Sequence, residues 1–281
     1  MTHTIIQEIV VGIFVIFMMM AVGLDLTLGR VMEVFKYPKA LMTGMGINYL
    51  LVPLVALGLV RALEIPPLWA GGLLVGAMAP GGPVGAVLTQ SAKGNVALAV
   101  SLTVVMNCLN TLVTPVMVWA TDAIPVAEGA NLPVLGMIRT IVLFQLIPLG
   151  IAMIWRAQHP SSASRVHEVL KKLARIVLAL AVAGMLISNR DKIGRLDAAT
   201  VGTIVTCTVV GLGAGWFLTS DQRPTQVALS LTSGIRSMSV ALLLVTSWFP
   251  DPEVVTATVA YSGIMFTTTW AYAQFLEYRA R

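Results

Sequence analysis

The sequence predicts an all-α polytopic membrane protein with about nine transmembrane helices, arranged as an inverted repeat in which two broken helices cross. Composition is the first reason: 57% of the 281 residues are hydrophobic and only 11% are charged, whereas soluble domains carry roughly 25% charged residues. The second reason is that apolar runs long enough to cross a bilayer recur along the whole chain. The third is that two of these runs are interrupted at corresponding places in the two halves.

The nine predicted spans are separated by short polar stretches. They cover residues 5–24, 40–60, 67–92 (broken), 95–120, 132–154, 176–188, 199–219, 225–248 (broken) and 254–275. The first is expected to be retained as a span, because neither a basic region nor a small-residue cleavage pattern flanks it. The stretch 158–166, rich in serine and alanine, is expected to be a cytoplasmic linker.

The distribution of lysine and arginine predicts the orientation, because cytoplasmic loops carry an excess of positive charge. With an N-terminus outside, twelve of the 18 basic residues fall inside, five outside and Arg236 within a span. The inner group is Arg30, Lys36, Lys39, Lys93, Arg156, Arg165, Lys171, Lys172, Arg175, Arg223, Arg279 and Arg281, and the outer group is Arg61, Arg139, Arg190, Lys192 and Arg195. We therefore expect a multi-pass protein of the cell (inner) membrane, with its C-terminus in the cytoplasm.

The two halves of the chain resemble each other. The stretch Leu28-Gly29-Arg30-Val31 after the first span is similar to Ile193-Gly194-Arg195-Leu196 after the sixth, and the third and eighth spans are the broken ones. Spans one to four then correspond to spans six to nine. Because this offset of five spans is odd, the two units lie upside down relative to each other, as in inverted-repeat transporters.

The two interruptions predict a binding site. The first contains Pro80, Gly81, Gly82 and Pro83 within an uncharged run, and proline and glycine are poor helix formers. Non-helical backbone at membrane depth is tolerated only where protein or a watery cavity surrounds it. The second halves of the broken helices are expected to begin near residues 82–85 and 237–239, where free N–H groups and the helix dipole attract anions. The alternative is a proline kink without a ligand.

Arg236 is the most informative single residue, since ionisable side chains inside a membrane are usually functional. All 13 acidic residues fall in loops, tails or helix ends, and Asp25 at the end of the first span is the nearest to an internal one. Arg236 either supplies a fixed positive charge for an anionic substrate or is neutralised by carbonyls at the C-terminal end of its first half-helix. Both interpretations remain open at this point.

Polar residues within the spans complete the candidate site. Thr103, Asn107 and Asn110 share one helix face by their spacing, and Asn48 and Gln145 are separate candidates. Each could bind a ligand or join two helices. The predicted substrate-binding residues are Gly81, Gly82, Pro83, Gly85, Asn107, Arg236, Ser237, Ser239 and Thr267.

Other classes of function have little support in the sequence. The basic residues lie between apolar runs rather than in one tract, which argues against nucleic-acid binding. Cys108 and Cys207 lie in apolar segments and suggest neither a disulfide framework nor a metal site. With no nucleophile–base set and no metal or cofactor site in view, an enzyme is not expected. The expected partners are a small anionic solute and the lipid bilayer, and the sequence sets no oligomeric state.

Several short motifs in the sequence resemble those of the bile acid:sodium symporter family. The similarity is carried by residues 23–28 (GLDLTL), 38–41 (PKAL), 80–82 (PGG), 93–98 (KGNVAL) and 114–115 (TP), and it covers nearly the whole chain. It implies a single transporter unit, residues 1–281, with core helices at about 40–120 and 199–275. A panel of helices at about 5–24, 132–154 and 176–188 would move against this core in alternating access. Some members have ten helices, and this chain resembles a version without the first.

The chain departs from the family at the residues that hold sodium. The resemblance implies a Ser-Asn pair where this chain has Gly85 and Ala86, and a Glu and a Gln where it has Thr232 and Arg236. Met106 and Asn107 replace a Ser-Thr pair, close to Thr103. Sodium requires oxygen ligands, so these substitutions predict a carrier of small organic anions, such as carboxylates, that does not depend on sodium. The alternatives are a sodium symporter whose ion binds backbone carbonyls and Asn107, and a sensor that binds ligand without moving it.

Overall fold

The computed structural model describes residues 2–121, 133–188, 190–194, 196–219 and 222–279. Within these ranges all regular structure is helical, which confirms the all-α prediction. Arg195 and Arg281, which entered the prediction of orientation, lie outside the described residues. The helices are α1 (Thr2–Asp25), α2 (Leu28–Met32), α3 (Pro38–Ala62), α4 (Pro67–Ala77), α5 (Val84–Ser91), α6 (Val96–Ala120), α7 (Val134–Gln158), α8 (Pro160–Ser188), α9 (Arg190–Ile193), α10 (Ala198–Phe217), α11 (Arg223–Gly234), α12 (Met238–Trp248) and α13 (Pro252–Tyr278).

Five of the described helices are long and apolar enough to cross a membrane. They are α1, of which Ile6–Asp25 qualify, and α3, α6, α7 and α10. The shorter apolar helices α4 and α12 belong to the two interrupted segments. The chain is therefore a polytopic membrane protein, whereas the number of nine spans stays a prediction.

Polar residues begin three of the long helices by accepting a bond from a free backbone N–H. Asn95 caps α6 by accepting from Leu98 N at 3.0 Å, and Asp251 caps α13 by accepting from Glu253 N at 2.7 Å. Asp197 caps α10 in the same way, and its hydrogen bonds with Thr200 hold the pKa of its carboxyl below the usual range.

Helix α8 is longer than the sequence predicts, and the expected linker at 158–166 is wrong. The helix begins at Pro160, a residue that is well suited to a first helical turn. Its first turns are held against the end of α7, where Trp155 donates to Ser162 Oγ at 3.1 Å and Arg156 donates to Ser164 Oγ at 2.9 Å. Serine-rich composition suggested a loop, but these tertiary bonds and the buried Ala163 favour a helix.

The helices form two groups of close neighbours. Helix α1 packs along α7 and α8, whereas α4 packs on α13 and α10 packs on α11. Both α3 and α7 contain a π-helical turn, at Ile47–Leu51 and at Val142–Leu146. Such turns are frequent at functional sites because they redirect side chains, and here each contains a buried amide, Asn48 or Gln145.

Candidate functional site at the helix crossing

The two interrupted helices meet side by side in the middle of the protein. The first interruption, residues 78–83, separates α4 from α5, and the second, residues 235–237, separates α11 from α12. The backbone N–H of Ser237 donates to the carbonyl of Ala79 at 2.5 Å, and Pro80 and Arg236 form an antiparallel bridge. The second half-helices α5 and α12 begin at Val84 and Met238, within the ranges that the sequence predicts.

Glycine permits the close approach of the two backbones. Gly81 has a φ of +87°, a conformation that other residues rarely adopt. A Cβ atom on Gly82 would overlap the carbonyl oxygen of Arg236. Gly81 therefore serves the close packing of the first interruption on α6, and Gly82 serves its contact with the second interruption.

Three polar side chains of α6 satisfy the carbonyl groups that the first interruption exposes. Asn107 donates to Gly81 O at 2.7 Å, Asn110 donates to Pro80 O at 2.6 Å, and Thr114 donates to Met78 O at 2.8 Å. Their spacing of three and four residues places them on one helix face. Asn107 and Asn110 thus bind the broken helix itself, and Thr114 extends the same face by one turn beyond the residues that the sequence singled out.

Arg236 lies at the crossing with its side chain turned back towards α11. It is 4% exposed, and it is the only buried charged side chain among the residues that the structure describes. Its guanidinium donates to Asn48 Oδ1 at 2.5 Å, to Asn48 O at 3.4 Å and to the carbonyl of Ser233. Within the described ranges no ion pair includes Arg236. The carbonyl partners expected at the end of α11 are present, but neutral acceptors leave the net positive charge in place.

Two further buried side chains cover the crossing. Gln145 of α7 donates to Asn107 O at 2.9 Å and to Asn107 Oδ1 at 3.3 Å, while its own Oε1 has no hydrogen-bond partner. Tyr49 of α3 donates to Met106 O or Asn110 Oδ1, each at 2.9 Å. The Thr103 hydroxyl is buried without a partner. Side chains from three helices, α3, α6 and α7, thus meet beside the first interruption. The sequence alone did not indicate that Tyr49 is one of them.

The N-termini of the second half-helices have no side-chain cap. Pro83 precedes α5 and Ser237 precedes α12, and neither side chain accepts a bond from the helix. The hydroxyls of Ser237 and Ser239 lie 3.1 Å apart and bond to each other. Free backbone N–H groups at both starts, together with the helix dipoles, produce a positive potential beside Arg236.

The positions that correspond to sodium ligands are occupied by packed backbone. A Cβ atom on Gly85 would lie 3.1 Å from Thr232 Cα, so α5 and α11 are in close contact there. The Thr232 hydroxyl bonds to the carbonyl of Ala228 at 2.7 Å within its own helix, and Ala86 contributes no side-chain oxygen. Among Gly85, Ala86 and Thr232, the only side-chain oxygen is therefore the Thr232 hydroxyl, and none of the three supplies a carboxylate.

Thr267 does not reach the crossing, which corrects its place among the candidates. Its side chain is exposed and bonds to carbonyls of its own helix, Gly263 O at 3.0 Å and Ile264 O at 2.9 Å. Thr269 lies there instead, fully buried, and donates to Gly234 O at 3.5 Å. Two residues along an α-helix turn by about 200°, so the two threonines lie on opposite faces.

Comparison with known proteins identifies the family. The model of the sodium bile acid symporter family matches residues 12–196. An uncharacterized sodium-dependent transporter of Bacillus subtilis, YocS, is 28% identical over 273 residues, which cover 93% of this chain and 83% of the relative. A probable chloroplastic sodium/metabolite cotransporter of Arabidopsis thaliana, BASS6, is 29% identical over 257 residues, with 85% of this chain and 60% of the relative covered. The chain therefore belongs to the sodium bile acid symporter family, and it is a multi-pass membrane transporter rather than an enzyme.

Proposed function

We propose that this protein is a secondary carrier of small organic anions, such as carboxylates, that does not require sodium, because Arg236 supplies the charge that bound sodium provides in relatives. One observation carries the proposal. The guanidinium of Arg236 fills the polar space between Asn48 and the Ser233 carbonyl, at the crossing and without a carboxylate partner among the described residues.

The electrostatic argument favours an anionic substrate. A carboxylate about 4 Å from the guanidinium would gain roughly 4 kcal/mol at an effective dielectric constant near 20. The uncapped starts of α5 and α12 would add the attraction of their N–H groups. A sodium ion in the same space would instead be repelled by the guanidinium and would find no carboxylate.

The packing of the helices supports a division into a core and a moving panel. Helices α1, α7 and α8 are neighbours of one another and form the proposed panel, and α3–α6 together with α10–α13 form the proposed core. The bond from Gln145 to Asn107 joins panel to core directly over the first interruption. Movement of the panel would break this bond and open the crossing to one side of the membrane.

The distribution of lysine and arginine along the chain also supports a proposed membrane location and orientation, and the orientation bears on the driving force for transport. We place the carrier in the plasma (inner) membrane with its N-terminus outside. An inside-negative potential opposes anion entry by about 2.3 kcal/mol per charge per 100 mV. Without a coupled cation the carrier is therefore expected to act by facilitated transport, exchange or efflux.

A second candidate is a sodium-coupled symporter, and the similar proteins favour it, since they are named as a sodium-dependent transporter and a probable sodium/metabolite cotransporter. In that case sodium would bind backbone carbonyls and the Asn107 side chain. Asn107 already donates its amide hydrogens to Gly81 O and Thr103 O, so its only ligand atom for an ion would be Oδ1, which also accepts from Gln145.

Counterflow in proteoliposomes separates the two candidates. Vesicles loaded with one of a panel of carboxylates are diluted into labelled carboxylate, with sodium or with choline as the cation. We expect equal counterflow in both salts, and a rate that is reduced to the background of empty liposomes in Arg236→Ala but not in the exposed control Arg61→Ala. Uptake that follows the sodium gradient, and whose sodium dependence survives in Arg236→Ala, would contradict the proposal. Binding of a carboxylate without any flux would identify a sensor instead.

A further inference from the structure

A groove that the site described above does not use runs along the outer face of the protein, between α10 and α13. Its volume is about 600 Å³. Each helix lines it with side chains spaced three or four residues apart, the spacing of a single helix face. The lining is mostly aromatic or aliphatic, and Val209 and Phe217 on its rim are 52% and 82% exposed. Since α10 is long and apolar enough to cross a membrane and α13 packs beside it, an exposed apolar groove between them would face lipid acyl chains rather than water.

Two arginines lie at one end of this groove. Arg279 places its guanidinium carbon 4.7 Å from the centre of the Phe275 ring, and Arg223 donates one N–H to the Leu276 carbonyl at 3.4 Å. A guanidinium has five N–H donors, so this bond leaves most of those of Arg223 available. Neither arginine has an ion-pair partner within the described part of the chain. The neighbouring Glu277 does not line the groove and has a partner of its own.

We propose that this groove binds an anionic phospholipid, with the phosphate between Arg223 and Arg279 and one acyl chain along α10 and α13. Two positive charges without a carboxylate between them favour a headgroup with net negative charge over a zwitterionic one. The apolar length of the groove requires a hydrocarbon chain, which a free phosphate ester does not have. The proposed orientation puts this end in the cytoplasmic leaflet, where anionic lipids attract basic residues.

Glycine gives the acyl chain its space. A Cβ atom on Gly213, which lines the groove, would meet nothing within 4 Å. The side chain of Gly213→Leu would therefore enter the groove without disturbing the helix packing. Gly202 of the same helix is equally open and does not line the groove, so Gly202→Leu is a matched control.

Native mass spectrometry of the purified full chain in detergent tests whether the two arginines bind an anionic headgroup. The protein is titrated with phosphatidylglycerol, phosphatidylcholine or soluble glycerol 3-phosphate. We expect phosphatidylglycerol to bind in preference to the other two. The double variant Arg223→Gln/Arg279→Gln should lower this preference by about 30-fold, since each basic residue near an anionic membrane surface contributes a roughly 5-fold attraction. The exposed control Arg165→Gln should leave it unchanged.

The same titration with Gly213→Leu tests the acyl chain independently of the arginines, so the proposal stays testable if the double variant does not fold. Binding of phosphatidylglycerol should fall in Gly213→Leu and persist in Gly202→Leu. Equal binding of the two phospholipids, or a preference that persists in the double variant, would overturn the proposal. Glycerol 3-phosphate binding as strongly as phosphatidylglycerol would also overturn it, because the site would then recognise the phosphate ester alone.

Discussion

The two interruptions at the crossing are stabilised by different chemistry. At the first, residues 78–83, three neutral side chains from another helix satisfy the free carbonyls. At the second, residues 235–237, the interruption contains its own charged side chain, and the backbone N–H of Arg236 is 2.9 Å from Met265 Sδ. The first interruption can therefore be a purely structural element. The second carries a net charge that hydrogen bonds with neutral groups do not remove, which is why the proposed function rests on this half of the pair.

The largest expected effect is on transport, and it comes from neutralising the charge of Arg236 without removing the arginine. Asn48→Asp keeps the shape of the side chain and places a carboxylate oxygen where Asn48 Oδ1 now accepts from Arg236. We expect carboxylate counterflow to fall by about 100-fold, because the roughly 4 kcal/mol of attraction for the substrate is largely lost. Asn95→Asp is the control, since aspartate and asparagine cap a helix equally well. Unchanged counterflow in Asn48→Asp would mean that Arg236 is only structural.

The next effect is on stability and tests the contact between the interruptions. A Cβ atom in Gly82→Ala would overlap the carbonyl oxygen of Arg236, which is backbone and cannot rotate away. We expect the free energy of unfolding in SDS, followed by tryptophan fluorescence, to fall by about 3 kcal/mol. Gly46→Ala, where nothing lies within 4 Å of the new methyl group, should cost little. Equal stability of the two variants would argue against the crossing as described.

A smaller effect on the free energy of unfolding should distinguish two threonines on α6. Thr114→Val removes the donor to Met78 O, and a buried carbonyl without a partner costs about 1.5 kcal/mol. Thr111→Val makes the same chemical change where the buried hydroxyl has no partner, so stability should stay the same or rise slightly. The same unfolding assay measures both. A larger loss in Thr111→Val than in Thr114→Val would show that neutral side chains do not hold the first interruption.

The smallest effect is expected at Ser237. Its hydroxyl bonds to the hydroxyl of Ser239, while its contribution to the crossing is the backbone N–H that donates to Ala79 O. Ser237→Ala keeps that N–H but leaves the buried Ser239 hydroxyl without this partner, so we expect the free energy of unfolding to fall by about 1 kcal/mol. A loss above about 2 kcal/mol would give the side chain a structural role that the geometry does not indicate.

Local chemistry explains why the interruptions could be predicted and some partners could not. Prolines and glycines in a cluster rarely continue a helix, although the single Pro115 lies within α6, so Pro80–Pro83 and the starts of α5 and α12 were predictable from the chain alone. The face of α6 was predictable from its spacing, and extending it by four residues would have identified Thr114. Thr269 was missed and Thr267 chosen in error because a polar residue in a span does not reveal which face it occupies.

The sequence by itself determined the membrane class, the two interruptions, the family and the lone arginine between apolar runs, because composition, helix breaking and charge act locally. Only the tertiary structure decided which groups surround that arginine. The π-helical turns that direct Asn48 and Gln145 inward, the helical start of α8 and the contact of Gly85 with Thr232 depend on packing between segments far apart in the chain. Such contacts have no local signal, since each becomes favourable only when another helix supplies the partner.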